Sequence, residues 1–562
     1  FLAHVERCFR FNVELLNRSS LHWTLLKRCS VTLRVLVCML LSRARTAIRF
    51  STPLRHALRA ATMHHVAAID QGTTSTRVIV FNELGQIQAR HQVEYKQIYP
   101  QSGWCEHDPL EILETVHTCI GQVALQCQKL GIREIKAVGV TNQRETTIVW
   151  DRRTGKPLYN AIVWLDTRTL GLVEEFEHRL GGRDVFRDRC GLPISTYFSA
   201  LKLSWLIKNV PAVREAMEAN NCCFGTVDSW LIWNLTGGPN GGRHWTDVTN
   251  ASRTMLMNLT TLQWDPSLCQ AFSVPPSVLP EIHSSSELYG NIRGGPWEGM
   301  PIAGCVGDQQ AACIGQACLS PGDAKNTYGT GCFVMMNTGE RAIQSSHGLL
   351  TTVMCKLGPQ APVVYALEGS VAIAGAAVQW LRDNLKIIDN ASEIESLAAS
   401  VKDSGGLVFV PAFSGLFAPH WRYDARGLVI GITLSTTRAH VARAVLDAVC
   451  FQTREVLESM AQDAGHGLNL LKADGGMAVN KLLMQLQTDI MGVTVERPNM
   501  IETTALGAAV AAGLCVGVWT TSDVDKWNHS GFTQFKPEIT QQERDVRFTQ
   551  WNKAVKRSFD WV

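Results

Sequence analysis

Residues 70–77 read Asp-Gln-Gly-Thr-Thr-Ser-Thr-Arg and lie between two apolar runs, 66–69 and 78–81. An acid, a glycine, four hydroxyls and a cation are the residue types of an anion cradle. Gly72 takes backbone conformations that other residues avoid and lets the chain approach a ligand. Consecutive backbone amides in such a turn form a concavity for anions. Thr73, Thr74 and Ser75 add hydroxyl donors, and Arg77 adds charge. Asp70 at a strand end suits the water shell of Mg2+, which favours one or two carboxylates together with phosphate oxygens. The competing reading of the same eight residues is a solvated β-turn with no ligand.

Further stretches carry the same kind of chemistry. "KNTYGTGCF", from Lys325, places Thr327, Gly329, Thr330 and Gly331 between two strands. In "GDQQAA" a strand ends at Gly307 and a run of small helix formers follows. Asp308 there is either a general base facing a cleft or the N-cap of its own helix. In "DGGMAVN" paired glycines would let backbone lie flat against a planar ring, with Asn480 to hydrogen-bond it. The alternative is an ordinary strand-to-helix turn. From the residues alone, Arg144 beside Glu145 reads as a surface charge pair. There is no G-x-x-x-x-G-K-[ST] loop, no H-R-D or D-F-G set, and no G-x-G-x-x-G between a strand and a helix, which excludes P-loop enzymes, protein kinases and the dinucleotide fingerprint.

The elements that must hold these turns alternate between strand and helix from Met63 onward, the pattern of an α/β protein. "EIKAVGVTNQ" is a strand entering a polar turn, and "ETTIVWDRRTGKPLYNAIVW" reads as a hairpin about residues 154–157. The stretch 107–126 predicts a helix with Asp108 as N-cap, Pro109 in the first turn and Glu111 closing a capping box. "ETTALGAAVAAG", from Glu502, predicts a helix of tiny residues suited to close packing. The two glycine–hydroxyl hairpins look like counterparts in two halves of the molecule, with the boundary near residues 315–325.

Composition narrows the classes. The chain has 562 residues, 46% hydrophobic and 18% charged, ordinary globular usage with room for two domains. A net charge of +3 without a long basic face argues against nucleic acid. The 17 cysteines form no C-x-x-C pair, so free thiols in a reducing compartment are expected over disulfides or zinc. No apolar run reaches the ~18 residues of a transmembrane helix; the best, 33–42, carries Arg34. Residues 1–62 are arginine-rich with Glu6 and Glu14 as their only acids. They are expected to be an atypical leader outside the fold, read either as a targeting segment or as sequence upstream of a natural start at Met63.

Taken in order, "DQGTTSTR", "TNQRETT", "GDQQAA", "KNTYGTGCF", "ALEGSVAIAGAAVQWLRD", "DGGMAVNKLLMQ" and "ETTALGAA" resemble the FGGY carbohydrate kinase family, and within it the kinases of glycerol. The resemblance runs from about Met63 to the C-terminus. It implies two ribonuclease H-like, actin-type ATPase domains, 63–318 and 319–562, with the active site in the cleft between them. It implies ATP and Mg2+, with glycerol as acceptor. By position, Thr73, Thr74, Ser75 and Arg77 correspond to the first phosphate turn and Thr330 to the second. Gly375, Gln379, Gly476 and Asn480 match nucleotide-contacting positions. Arg144, Glu145, Tyr197 and Gln309 correspond to residues holding the triol hydroxyls, Trp164 and Phe333 to those packing its carbon face, and Asp308 to the base. Asp70 and Asp308 would meet the metal through water. The family implies a cytoplasmic homodimer or homotetramer, with some members at the mitochondrial surface. The alternatives are a kinase of another small polyol or sugar, and a non-catalytic actin-like nucleotide-binding protein.

Overall fold

The computed structural model describes residues 64–562 apart from positions 414, 469, 529 and 530. The leader 1–62 and the apolar run 33–42 lie outside the described residues. Among those residues no helix is long and apolar enough to cross a membrane.

The first sheet is built from β1 (His65–Gln71), β2 (Ser75–Asn82), β3 (Ile87–Glu94), β4 (Ile135–Asn142), β5 (Gly290–Asn291) and β6 (Pro301–Gly307), in the order β5-β6-β4-β1-β2-β3. β1, β2 and β3 form an antiparallel meander, while β4 runs parallel to β1 and β6 parallel to β4. β1 is buried at every position, as a strand covered on both faces must be. Its side chains alternate between two cores. Ala67 and Ile69 join Ile112 and Val116 of helix α1 (Pro109–Leu130), whereas Val66 and Ala68 join Ala505, Ala508 and Ala512 on the opposite face. Helix α1 starts as expected, with the Asp108 carboxylate accepting from the Leu110 amide at 2.8 Å. Glu111 departs from the expected capping box: its carboxylate accepts from the Lys96 amide at 3.2 Å. The hairpin about residues 154–157 forms, although Ile148–Asp151 takes Cys222–Gly225 as its main partner.

The second sheet repeats the pairing pattern. Its strands are β7 (Ala324–Tyr328), β8 (Cys332–Gly339), β9 (Leu350–Cys355), β10 (Val364–Val371), β11 (Leu470–Asp474), β12 (Thr494–Pro498) and β13 (Phe532–Phe535). The order is β9-β10-β8-β7-β11-β12-β13. Again an antiparallel hairpin, β7–β8, is followed by a parallel neighbour, β11. This shared topology bears out the view of the two hairpins as structural counterparts. One face packs on helix α4 (Arg438–Ala464) and helix α5 (Lys481–Met491).

Helix α2 (Asp308–Gly315) and helix α6 (Thr503–Cys515) join the two halves. Although α6 lies between β12 and β13 of the second sheet in sequence, it packs on α2 and on β1, β4 and β6 of the first. The approach is backbone to backbone. A Cβ on Gly507 would sit 1.8 Å from the Ala311 carbonyl oxygen, and one on Gly139 would sit 2.0 Å from that of Ala508. The close packing expected of "ETTALGAAVAAG" is therefore its role. The cysteines among the described residues are free thiols, all buried except Cys515.

Candidate active site

Three parallel strands of the first sheet end together. Asp70 stands beside Thr141, and Asn142 beside both Gln71 and Gly307. Ligands of α/β sheets gather beyond such carboxyl ends. The second sheet does the same with Thr327 beside Asp474, so each half delivers its glycine turn from a strand terminus.

The first turn is held from beneath and left open above. The Gly72 carbonyl accepts from Gln71 Nε2 at 3.0 Å, from Gln143 Nε2 at 3.1 Å and from the Tyr95 hydroxyl. Thr73 Oγ1 accepts from Trp164 Nε1 at 3.0 Å, and Thr74 is exposed. Gly72 keeps an ordinary negative φ, so freedom of backbone conformation is not its reason. Space is: a Cβ would press on the Ser75 carbonyl at 3.3 Å. Ser75 is buried, its hydroxyl accepting from Gln92 Nε2 at 2.9 Å. Arg77 bridges Glu502 at 2.9 Å and Asp70 at 3.6 Å. Burial raises the Asp70 carboxyl against the lowering effect of Arg77.

Beyond β4 and β6 lies a buried charged centre. Arg144 and Glu145 are each 2% exposed, which overturns their reading as a surface pair. The Arg144 Nε is 3.3 Å from Asp308 Oδ1 and 3.8 Å from Glu145 Oε1. Asp308 opens helix α2, with Gly307 in the cap position. Its Oδ1 accepts from the next amide, Gln309, at 2.7 Å, and a quarter of its side chain stays exposed. Burial pushes the Asp308 carboxyl up to about 6, against the lowering pull of Arg144 and, more weakly, Lys325. Gln309 Oε1 accepts from the buried Lys325 ammonium at 2.5 Å.

The aromatic residues close one wall. The Trp164 ring lies 5.6 Å from Tyr197 and 5.8 Å from Phe333. Because Trp164 also touches Thr73, the first turn is tied to the strand that follows the second. In the second turn the Thr330 side chain is exposed, while the Thr330 carbonyl accepts from the Ala374 and Ala376 amides at 2.9 and 3.0 Å. This docks the turn on the start of helix α3 (Gly375–Asp383). A Cβ on Gly375 would meet the Gly329 carbonyl at 2.6 Å. Gln379 is exposed one helical turn further on. Gly475, at φ 90°, packs beneath Tyr328 and leaves Gly476 exposed. Asn480 is committed to capping: its side-chain oxygen accepts from the Leu483 amide at 2.8 Å, leaving only its NH2 group for a ligand.

Sequence reasoning missed three charged members. Glu368 accepts from both terminal nitrogens of Arg144 at 2.7 Å. Arg253 bonds Glu145 at 2.6 Å through its Nε. Lys325 joins Gln309 to Thr327. The available signal was an isolated ionisable residue inside an apolar strand, as Glu368 is in "VVYALEGSV", since such a group must find a partner.

The segment leading to Arg253 also aligns the site. Asp247 accepts from the amide of Asn250 at 2.9 Å and from the hydroxyl of Thr249 at 2.8 Å. Thr249 Oγ1 in turn accepts from the Gly307 amide at 2.8 Å, one residue before Asp308. Asn250 Oδ1 accepts from Asn142 Nδ2 at 3.0 Å, two residues before Arg144. Thr249→Val is expected to lower kcat on the order of ten- to a hundredfold by loosening Asp308, with Thr249→Ser restoring most of it. Steady-state rates of the two variants check this.

The chain matches two family models across this region. Residues 65–315 match the N-terminal domain of the FGGY family of carbohydrate kinases, and residues 324–515 match its C-terminal domain. The glycerol kinase of Brucella anthropi is 56% identical over 499 residues, covering 88% of this chain and 99% of its own. That of Arabidopsis thaliana is 55% identical over 510 residues, with 88% and 98% covered. The solved structure of Plasmodium falciparum glycerol kinase with ADP superposes with a TM-score of 0.83 at 42% identity, covering 88% of this chain and 98% of that one. A gluconate kinase from Lactobacillus acidophilus, 21% identical with a TM-score of 0.76, shares the fold.

Proposed function

The chain belongs to the FGGY family of carbohydrate kinases, and from that premise we propose that it transfers the terminal phosphoryl group of ATP to glycerol, giving sn-glycerol 3-phosphate and ADP. The observation that carries the reading is Asp308. It is a carboxylate at a strand end, a quarter exposed, 3.3 Å from Arg144 of the first half, with the charge of Lys325 of the second also pulling its pKa down.

In this reading Arg144, Glu145, Tyr197 and Gln309 orient the hydroxyls of the triol, and Trp164 and Phe333 pack its carbon edge. A small polyhydric substrate is selected by convergent donors and acceptors, because a wrong ligand leaves buried partners unpaired. Asp308 takes the proton of the terminal hydroxyl as its oxygen attacks the γ-phosphorus. The bond to the bridging oxygen breaks and ADP leaves. Thr73, Thr74, Ser75 and Arg77 from one turn and Thr330 from the other steady the phosphates, with Gly375, Gln379, Gly476 and Asn480 along the nucleoside. Phosphoryl transfer asks chiefly for such positioning and charge stabilisation. The donor set fits Mg2+: Asp70 stands at the end of β1 and Asp308 follows β6, parallel strands on either side of β4 that finish at the same edge of the sheet, and a hydrated ion needs only one or two such carboxylates. Bound there, Mg2+ would offset phosphate charge.

ADP release coupled to an indicator reaction tests the function against a panel of glycerol, longer polyols and pentoses. Glycerol is expected to lead the panel. ADP release indifferent to every polyol would sink the proposal. The pH profile adds a check. A base raised to about 6 is charged above that value and protonated below it. kcat/KM for glycerol, which reports the free enzyme, is therefore expected to fall about tenfold per pH unit on the acid side of 6 and to level off above it.

A further inference from the structure

Glu368 lies within β10, on the second sheet, with its side chain wholly buried. Both its oxygens accept from the terminal nitrogens of Arg144 at 2.7 Å, a fork-to-fork pair between residues 224 apart in sequence. A second buried guanidinium shares it: Arg253 Nη1 is 3.3 Å from Glu368 Oε2, while its Nε holds Glu145. Two cations are thus balanced by two carboxylates in a buried seam. The Arg144 Nε, left over, points at Asp308 from 3.3 Å. With its fork released, Arg144 would find Asp308 the nearest carboxylate to close upon. That would take the arginine from the triol and block the oxygen needed as base.

We propose that Glu368 is the positioning residue of the substrate arginine. Reaching across from the second sheet, it holds the Arg144 fork away from Asp308, and so makes triol affinity conditional on the two halves standing in this arrangement. The inference rests on the reading of Arg144 as a glycerol-binding residue.

Steady-state kinetics of the full chain with glycerol and ATP test it in Glu368→Asp and Glu368→Gln. Asp keeps the charge but withdraws the carboxylate by one methylene, and it guards against the possibility that the Gln variant, with a buried pair broken, does not fold. KM for glycerol is expected to rise at least about tenfold in either variant, with KM for ATP within about twofold. Adding Glu368→Asp to Arg144→Lys should cost little beyond Arg144→Lys alone, the non-additivity of directly coupled residues. An unchanged glycerol KM in Glu368→Asp, or equal rises for both substrates, would overturn the positioning role while leaving the activity intact. A parental chain inert toward glycerol would overturn the underlying activity and this role with it.

Discussion

Asp308→Asn is expected to reduce turnover on glycerol by about 10²–10⁴-fold, the ordinary worth of a positioned general base, while nucleotide affinity stays within about twofold. Asn has the same shape, so the cleft keeps its form. Its oxygen can still accept from the Gln309 amide as Asp308 Oδ1 does. What disappears is the ability to take a proton. Arg144 also loses an anionic neighbour at 3.3 Å, but its fork remains bound by Glu368. Coupled ADP release reports the rate, and calorimetric titration with ATP reports nucleotide affinity. Near-normal turnover in this variant would remove Asp308 from the chemistry. A parallel loss of nucleotide binding would make its role structural.

The second large effect is expected far from the chemistry. Gly507→Ala should lower the thermal midpoint strongly, with a cost at or beyond the upper end of the ~1–3 kcal/mol seen for overpacking. The added methyl would sit 1.8 Å from the Ala311 carbonyl oxygen and 2.5 Å from its carbon, and backbone cannot step aside as a flexible side chain would. Helix α6 must therefore move off helix α2, whose first residue is Asp308. Thermal unfolding with and without ATP and glycerol measures the loss. A midpoint within a degree or two of the parental chain would contradict the backbone-to-backbone packing.

Much of this site was legible before any coordinates, for identifiable reasons. The glycine turns announce themselves because residues 70–77 interrupt apolar strands with hydroxyls and charge over a short span. Asp308 is visible because it ends one strand and opens one helix. What stayed hidden depends on partners distant in sequence. Arg144 and Glu145 look like a surface pair until Glu368 and Arg253 arrive from elsewhere in the chain to bury and neutralise them. Asn480 was legible only in part: the free amides at the start of α5 take its side-chain oxygen, a capping role that the sequence reading did not assign, and its NH2 group is what remains for a ligand. The capping box expected at Glu111 failed because the Lys96 amide was within its reach.

Helix α6 has a consequence for how the protein is made. A ribosome delivers the strands of the first sheet early, but residues 503–515, which cover the face carrying Val66 and Ala68, follow on the order of ten seconds or more later at usual elongation rates. Until then that oily side of the sheet has only α2, through Ala311 and Ile314, to rest on. Biogenesis should accordingly lean on chaperones that shield nascent polypeptides. A gene cut between its halves should yield an amino-terminal fragment that aggregates unless the distal fragment is expressed beside it.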